Sequence, residues 1–162
     1  MIWHKAEKRK RLLLAKQEAE STLKNINIQN INILDLALAM LYLGEGSKKT
    51  EETSMGNSDP LILKTFLYIL KRNYNIDPKK IRCELYLRAD QNPDRLKKFW
   101  AKELKLSEDN FKYFHLDQRT RDSKTFPSYK GVCMIRYGSV AIKRKLLNIS
   151  RGFCESIIKM RG

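Results

Sequence analysis

The residues of this chain best placed for chemistry stand at the end of an apolar run. Leu38 to Gly46 reads Leu-Ala-Met-Leu-Tyr-Leu-Gly-Glu-Gly, continuing a run that starts near Asp35. Its first part is apolar enough to be a buried helix. Gly44 and Gly46 are expected to close that helix in a left-handed conformation, which leaves Glu45 at its C-terminus. The helix dipole already gathers partial negative charge there, so the carboxylate calls for a nearby cation. Lys48, Lys49 or a bound metal can supply it, and the residues alone leave that choice open. A second group lies at 80–88, where Ile81, Cys83, Leu85 and Leu87 alternate with Lys80, Arg82, Glu84, Tyr86 and Arg88. Period-two patterning predicts a strand with one wet face, here a basic one carrying a tyrosine. The third is the stretch 118–130, with Arg119, Arg121, Lys124 and Lys130 among Phe126 and Tyr129. Basic residues interleaved with aromatics in a long loop suit phosphate contact and groove entry.

Composition narrows the partner. The 162 residues hold 33 Lys and Arg against 18 Asp and Glu, a formal charge of +15. An excess that one-sided favours a polyanion, either nucleic acid or an anionic membrane surface. Nucleic acid is preferred, because a membrane role for the N-terminal residues leaves the basic strand and loop unexplained. Cys83, Cys133 and Cys154 stand far apart with no CxxC pair, and only His4 and His115 occur. Reduced thiols packed in the core are expected, as in a cytosolic protein, and a structural zinc site is not. The residues after Met1 lack the long apolar run of a signal peptide, and no stretch approaches a membrane span. No membrane partner is expected, and the expected place is the cytoplasm, with the nucleoid if the source is bacterial.

The elements that must position these groups follow from pattern. Residues 1–24 read as a basic amphipathic helix, with Trp3, Leu12, Leu13 and Leu14 opposed to Lys5, Lys8, Arg9, Lys10 and Arg11. Such an arm can lie along a phosphate backbone or a membrane, or pack on the domain by its leucines. Asn25 to Asn32 is a connector, and Asp35 is the expected N-cap of the apolar helix. The expected division is a basic helical arm over 1–30 and one α+β domain over 31–162. Within it, 48–56 is a candidate strand, and Asn57-Ser58-Asp59-Pro60 starts a helix over 61–72 that is apolar nearly all round. Asn92-Pro93 starts another, with Leu96, Phe99, Trp100 and Leu104 on one face. Phe111–Asp117 and Gly131–Tyr137 are expected as an antiparallel pair of strands. Ser139 is the expected cap of a final helix carrying Ile142, Leu146, Ile149, Phe153 and Ile157 on one stripe, with Gly152 dividing it. The strands are expected to form one antiparallel sheet with helices on one face, an α+β class.

The Leu38–Gly46 stretch resembles the LAGLIDADG motif of homing endonucleases. Leu38, Ala39, Leu41, Glu45 and Gly46 match its leucine, alanine, leucine, acid and final glycine, and Gly44 keeps the small residue before the acid. Met40 and Leu43 depart from it, the first replacing a small residue at a helix-packing position, the second an acid. The resemblance, over roughly Asp35 to Ile149, implies a LAGLIDADG-like domain with a saddle-shaped antiparallel sheet laid on double-stranded DNA. It would turn Arg82, Glu84, Tyr86, Arg88 and the 118–130 loop to the groove, arginines reading guanine edges and lysines neutralising phosphates. Single-motif members act as homodimers, so Ala37, Leu41 and Gly44 would form an isologous seam. Two copies of Glu45 would then hold Mg²⁺, a hard cation suited to carboxylate oxygens, and Lys48 or Lys80 would stabilise developing charge. Two functions follow: a site-specific DNA endonuclease, in which Glu45 is retained for cleavage, or a catalytically inactive DNA-binding or transcription-regulatory protein of the same fold.

Overall fold

The computed structural model describes residues 2–160, with side chains from residue 4; Met1, Arg161, Gly162 and the side chain of Trp3 lie outside the described residues. The chain divides into two units, Met1–Ile33 and Leu34–Gly162. The first holds helix α1 (Ile2–Lys24). Its charges form two i,i+4 pairs, Glu7 with Arg11 and Lys16 with Glu20. The expected amphipathic stripe is absent. Leu12, Leu13 and Leu14 are consecutive, so they fan over about 200° of a helix with 3.6 residues per turn. All three are exposed, as is Leu23.

The second unit is a mixed α+β fold. Helix α2 (Ile31–Glu45) is followed by β1 (Thr53–Asn57), α3 (Pro60–Tyr74), β2 (Arg82–Arg88), α4 (Pro93–Leu104), β3 (Phe111–Asp117), β4 (Val132–Tyr137) and α5 (Val140–Lys159). Three helices start where capping residues stand. Asp59 accepts from the Leu61 amide, Asn92 from that of Arg95 and Ser139 from that of Ile142, each satisfying an amide that the first turn leaves unpaired. α2 starts at Ile31, before the Asp35 expectation, and Asn30 Oδ1 accepts from the Asn32 amide at 2.8 Å. Asp35 is instead a clasp inside the fold. Its carboxylate accepts from Asn73 Nδ2 and Lys145 Nζ, 2.8 Å each, tying α2 to α3 and α5. α5 runs unbroken through Gly152, since one helical glycine costs only about 1 kcal/mol.

The sheet order is β1-β4-β2-β3. β4 is antiparallel to both β1 and β2, but β3 pairs with β2 alone, and in parallel. The sheet is therefore mixed, and β3 and β4 are not the antiparallel pair that their proximity in sequence suggested. The physical reason is the connection: β2 reaches β3 through α4, and a helical crossover returns the chain in the same direction. β4 then enters on the far side of β2, so the 118–130 loop must cross the end of that strand.

One face of the sheet is covered. Met55, Cys83, Leu85, Leu87, Cys133 and Ile135 are buried in a single cluster with Leu38, Tyr42, Phe66, Trp100 and Leu146 of the helices. Cys83 and Cys133 are free thiols within it, and burial holds the Cys133 thiol well above its usual range. α3 contributes a face rather than its whole surface: Leu61 and Tyr68 are exposed. The even-numbered positions of β2 and β4 point to the other face and are all exposed or half-buried.

Candidate nucleic-acid interface

The period-two pattern of β2 places Arg82, Glu84, Tyr86 and Arg88 on the open face, alternating with buried Cys83, Leu85 and Leu87. Register sets their neighbours. Arg82 lies beside Arg136 of β4, Glu84 beside Met134 and Tyr113, Tyr86 beside Val132 and His115, and Arg88 beside Asp117. A register shift between Cys83 and Glu84 in the β2–β3 pairing is what turns Tyr113, His115 and Asp117 to this face, because one extra residue reverses the alternation.

At the end of the face where β1 starts, the charges answer one another. Glu52, just before β1, takes Arg82 Nη2 at 2.5 Å and Arg136 Nη1 at 2.8 Å. Arg136 Nε reaches Glu84 Oε1 at 2.7 Å, and the Tyr86 hydroxyl donates to Glu84 Oε2 at 3.0 Å. Burial alone would lower the Arg136 pKa, but the carboxylates of Glu52 and Glu84 outweigh it and hold the guanidinium far above its ordinary value. Glu84 shows the mirror effect. Burial pushes its carboxyl up, and hydrogen bonds from Arg136 and Tyr86 bring it below the usual range. His115 stacks on Tyr86 with ring centroids 4.6 Å apart, its Nε2 3.9 Å from Glu84.

At the other end the face meets the 118–130 loop, and between them is a cleft of about 970 Å³. The loop is anchored at several points. Thr120 Oγ1 accepts from the Ala89 amide, Asp90 accepts from the Thr125 amide, and the Tyr129 and Lys130 carbonyls accept from Gln91 Nε2 and Trp100 Nε1. Trp100 is thus core, with its indole N–H fixing the loop. Gly131 ends the loop at φ +72°, and a Cβ there would stand 2.8 Å from the Tyr86 carbonyl, so both its conformation and its space require glycine.

The loop's cations differ in their partners. Arg119 is paired with Asp117 at 2.9 Å, a contact that lowers the Asp117 pKa and raises that of the arginine. Arg121 donates to Gln118, Lys130 to the Pro127 carbonyl, and Arg88 to Ser123, all neutral acceptors. Asp90 and Asp117 feel the Arg88 charge without an ion pair to it. The shielded Arg88 Nε has no acceptor among the described residues. Lys124 lines the cleft.

Glu45 lies elsewhere. It ends α2, exposed, its Oε2 accepting from Asn57 Nδ2 at 3.1 Å. Lys48 Nζ donates to the Gly44 carbonyl at 3.5 Å, so the cation that the helix end calls for is present in the chain. Lys80 is not near it. Asn57 pairs with Cys133, whereas Lys80 precedes Arg82, which lies opposite Arg136 toward the other end of β4. Several residues of rise, at about 3.4 Å each, separate them. Neither Gly44 nor Gly46 is left-handed; among the described glycines only Gly131 has positive φ. Gly46 is needed for space instead, since a Cβ would stand 2.5 Å from the Tyr42 ring. The stretch after the motif is a turn rather than a strand up to Thr53. Buried Lys143 holds it, donating to the Lys48 and Thr50 carbonyls.

Ala37, Met40 and Gly44 are exposed along α2 and Leu41 is half-buried, while Leu38, Ala39 and Tyr42 face the core. Sequence reasoning missed Glu52, Arg136 and Lys143. Arg136 did carry a signal, standing between Ile135 and Tyr137 at the position of β4 that alternation assigns to the open face. No family model, no curated protein and no solved structure matches this chain. The likeness to the LAGLIDADG motif thus rests on its own nine residues. No helix among the described residues is long and apolar enough to cross a membrane.

Proposed function

We propose that the protein binds double-stranded DNA with the open sheet face and the 118–130 loop. One observation carries this reading: Arg88 and Lys124 line the cleft where the open face meets the loop, Arg121 and Lys130 stand on the same loop, and among the described residues none of the four has an acid in an ion pair. Cations already neutralised by carboxylates release few counterions from a phosphate backbone, whereas these four are free to do so. Arg88, on a rigid strand and held through Ser123, is the residue best fixed to meet a base edge or a phosphate. The test is equilibrium binding to duplex DNA across a salt series. Four phosphate contacts give a log–log slope of about −3 to −4 per chain. Binding without a salt slope would sink the reading.

A second reading, a Mg²⁺-dependent endonuclease acting as a homodimer, is favoured by α2. Its exposed stripe of Ala37, Met40 and Gly44, with Leu41 beside it, ends at exposed Glu45. A second copy packed on that stripe would bring two Glu45 carboxylates together at the dyad. One chain offers there a single carboxylate with one oxygen engaged by Asn57, so the ligand set fits a hard cation only in the pair. Bound there, the cation would polarise phosphate and activate water. Lys48 stands close enough to serve that site, and Lys80 does not. Discrete double-strand ends in Mg²⁺, abolished by EDTA and by Glu45→Gln, are the expected result. Sequence-selective retention without cutting would leave a DNA-binding regulator.

A further inference from the structure

The cleft at the loop end holds more than cations. Its floor is the Tyr86–His115 stack, in which each ring uses one face on the other and the residues stay 37% and at least half exposed. Its wall carries Phe126, at 79% exposure among the most exposed large apolar residues of the fold. Asp117, the acid on this rim, is taken up by Arg119. Among the described residues, Arg88 and Lys124 are left as the rim's available positive charge. A volume of about 970 Å³ lies in the size range of clefts that enclose small molecules, roughly 300–1,000 Å³.

Paired bases in a duplex offer their edges to a groove and keep their faces stacked on neighbours. A surface with free aromatic faces beside fixed cations suits the reverse: a base whose face is exposed and whose phosphate is adjacent. We infer that this cleft takes an unpaired nucleotide, its base against Phe126 and the Tyr86–His115 pair, its phosphate on Arg88 and Lys124. The inference rests on the DNA-binding reading and adds to it a preference for DNA with a base out of the stack. The four residues that hold the loop in place, Thr120, Thr125, Gln91 and Trp100, keep the aromatic wall standing over the strand ends.

The test compares binding of the protein to a fully paired duplex and to the same duplex carrying a short unpaired bulge, at one salt concentration. Wild type should favour the bulged duplex by roughly tenfold, and Phe126→Ala and His115→Ala should each cut that ratio several-fold. Phe126→Trp should keep it, because a larger aromatic face is retained. Phe126 is too exposed for its loss to unfold the domain, and thermal unfolding of the variant checks this. Competition by a single strand lacking any duplex separates a base supplied by any unpaired chain from one extruded out of a helix, and either outcome keeps the cleft. A ratio near one in wild type, or a ratio unmoved by both alanine variants, overturns the inference while leaving duplex binding intact. Failure to bind either duplex at low salt overturns the DNA-binding reading itself.

Discussion

Arg82 and Arg88 stand six residues apart on one strand and one face, yet they belong to opposite electrostatic settings. Arg82 shares Glu52 with Arg136, and Arg136 reaches on to Glu84, so the end of the face where β1 starts is a closed lattice of two acids and two arginines. Arg88 meets only neutral partners directly, and the loop beside it adds Arg121 and Lys130 with partners equally neutral and Lys124 on the cleft lining. The first end spends its charge on holding two strands and a turn together, and the second leaves it available to the proposed ligand. Basic residues counted along a sequence say little about which of these two uses a given one has.

The lattice breaks most severely at its centre. Arg136→Met removes the cation from between Glu52 and Glu84, whose side chains keep only about 15% exposure. Leaving Glu84 without a guanidinium and Glu52 with Arg82 alone should cost about 2–3 kcal/mol, somewhat below the range for a fully buried pair that loses one partner. Urea unfolding measures it. A loss under about 0.5 kcal/mol, the scale of an ordinary surface change, would mean that the lattice is surface decoration and the two ends are alike.

Acid should reveal the same lattice more gently. The folded carboxyl of Glu84 lies below its ordinary 4.5 because Arg136 and Tyr86 overcome the effect of burial. A lowered folded pKa means stabilisation that is complete above the unfolded value and is lost as pH falls through the folded one. Stability should therefore decline below about pH 4.5, and Arg136→Met should remove part of that decline. Asp35, also lowered, keeps its own share through Asn73 and Lys145, with burial opposing them. An acid profile identical in both proteins would disconnect Glu84 from Arg136.

Much of this was legible from pattern alone, and the remainder shows where pattern stops. Strict alternation gave the wet face of β2 correctly over 82–88, because period two is a property of one strand and needs no partner, though Lys80 falls in a 3-10 turn before it. Asp59-Pro60, Asn92-Pro93 and Ser139 marked helix starts for the same local reason. Strand neighbours are not local. Nothing between Phe111 and Tyr137 says that β4 passes over β2 to lie beside β1, so the loop's length was visible and its route was not. The pairing of Glu52 with Arg136, 84 residues away, depends on that route. Lys143 is buried on two backbone carbonyls of the turn after Glu45, a contact between distant residues that no local pattern marks. Helix closure was misread for a steric reason: Gly46 makes room for Tyr42, and its φ stays ordinary.

The finest distinction between the two ends is in salt dependence. Each lysine or arginine that neutralises a phosphate contributes close to 0.9 to the log–log slope of DNA affinity. Lys124→Ala should thus lower the slope by about 1 and weaken binding similarly for all sequences. Arg82→Ala should change it by much less, since its charge is already met by Glu52, and what it loses is a brace rather than a phosphate contact. Arg119→Ala should fall between them: Asp117 holds it, but at 90% side-chain exposure the pair can open to a competing phosphate. Equal slope changes for Arg82 and Lys124 would show that DNA pulls the lattice apart. In that case the whole open face, not one end of it, would be the binding surface.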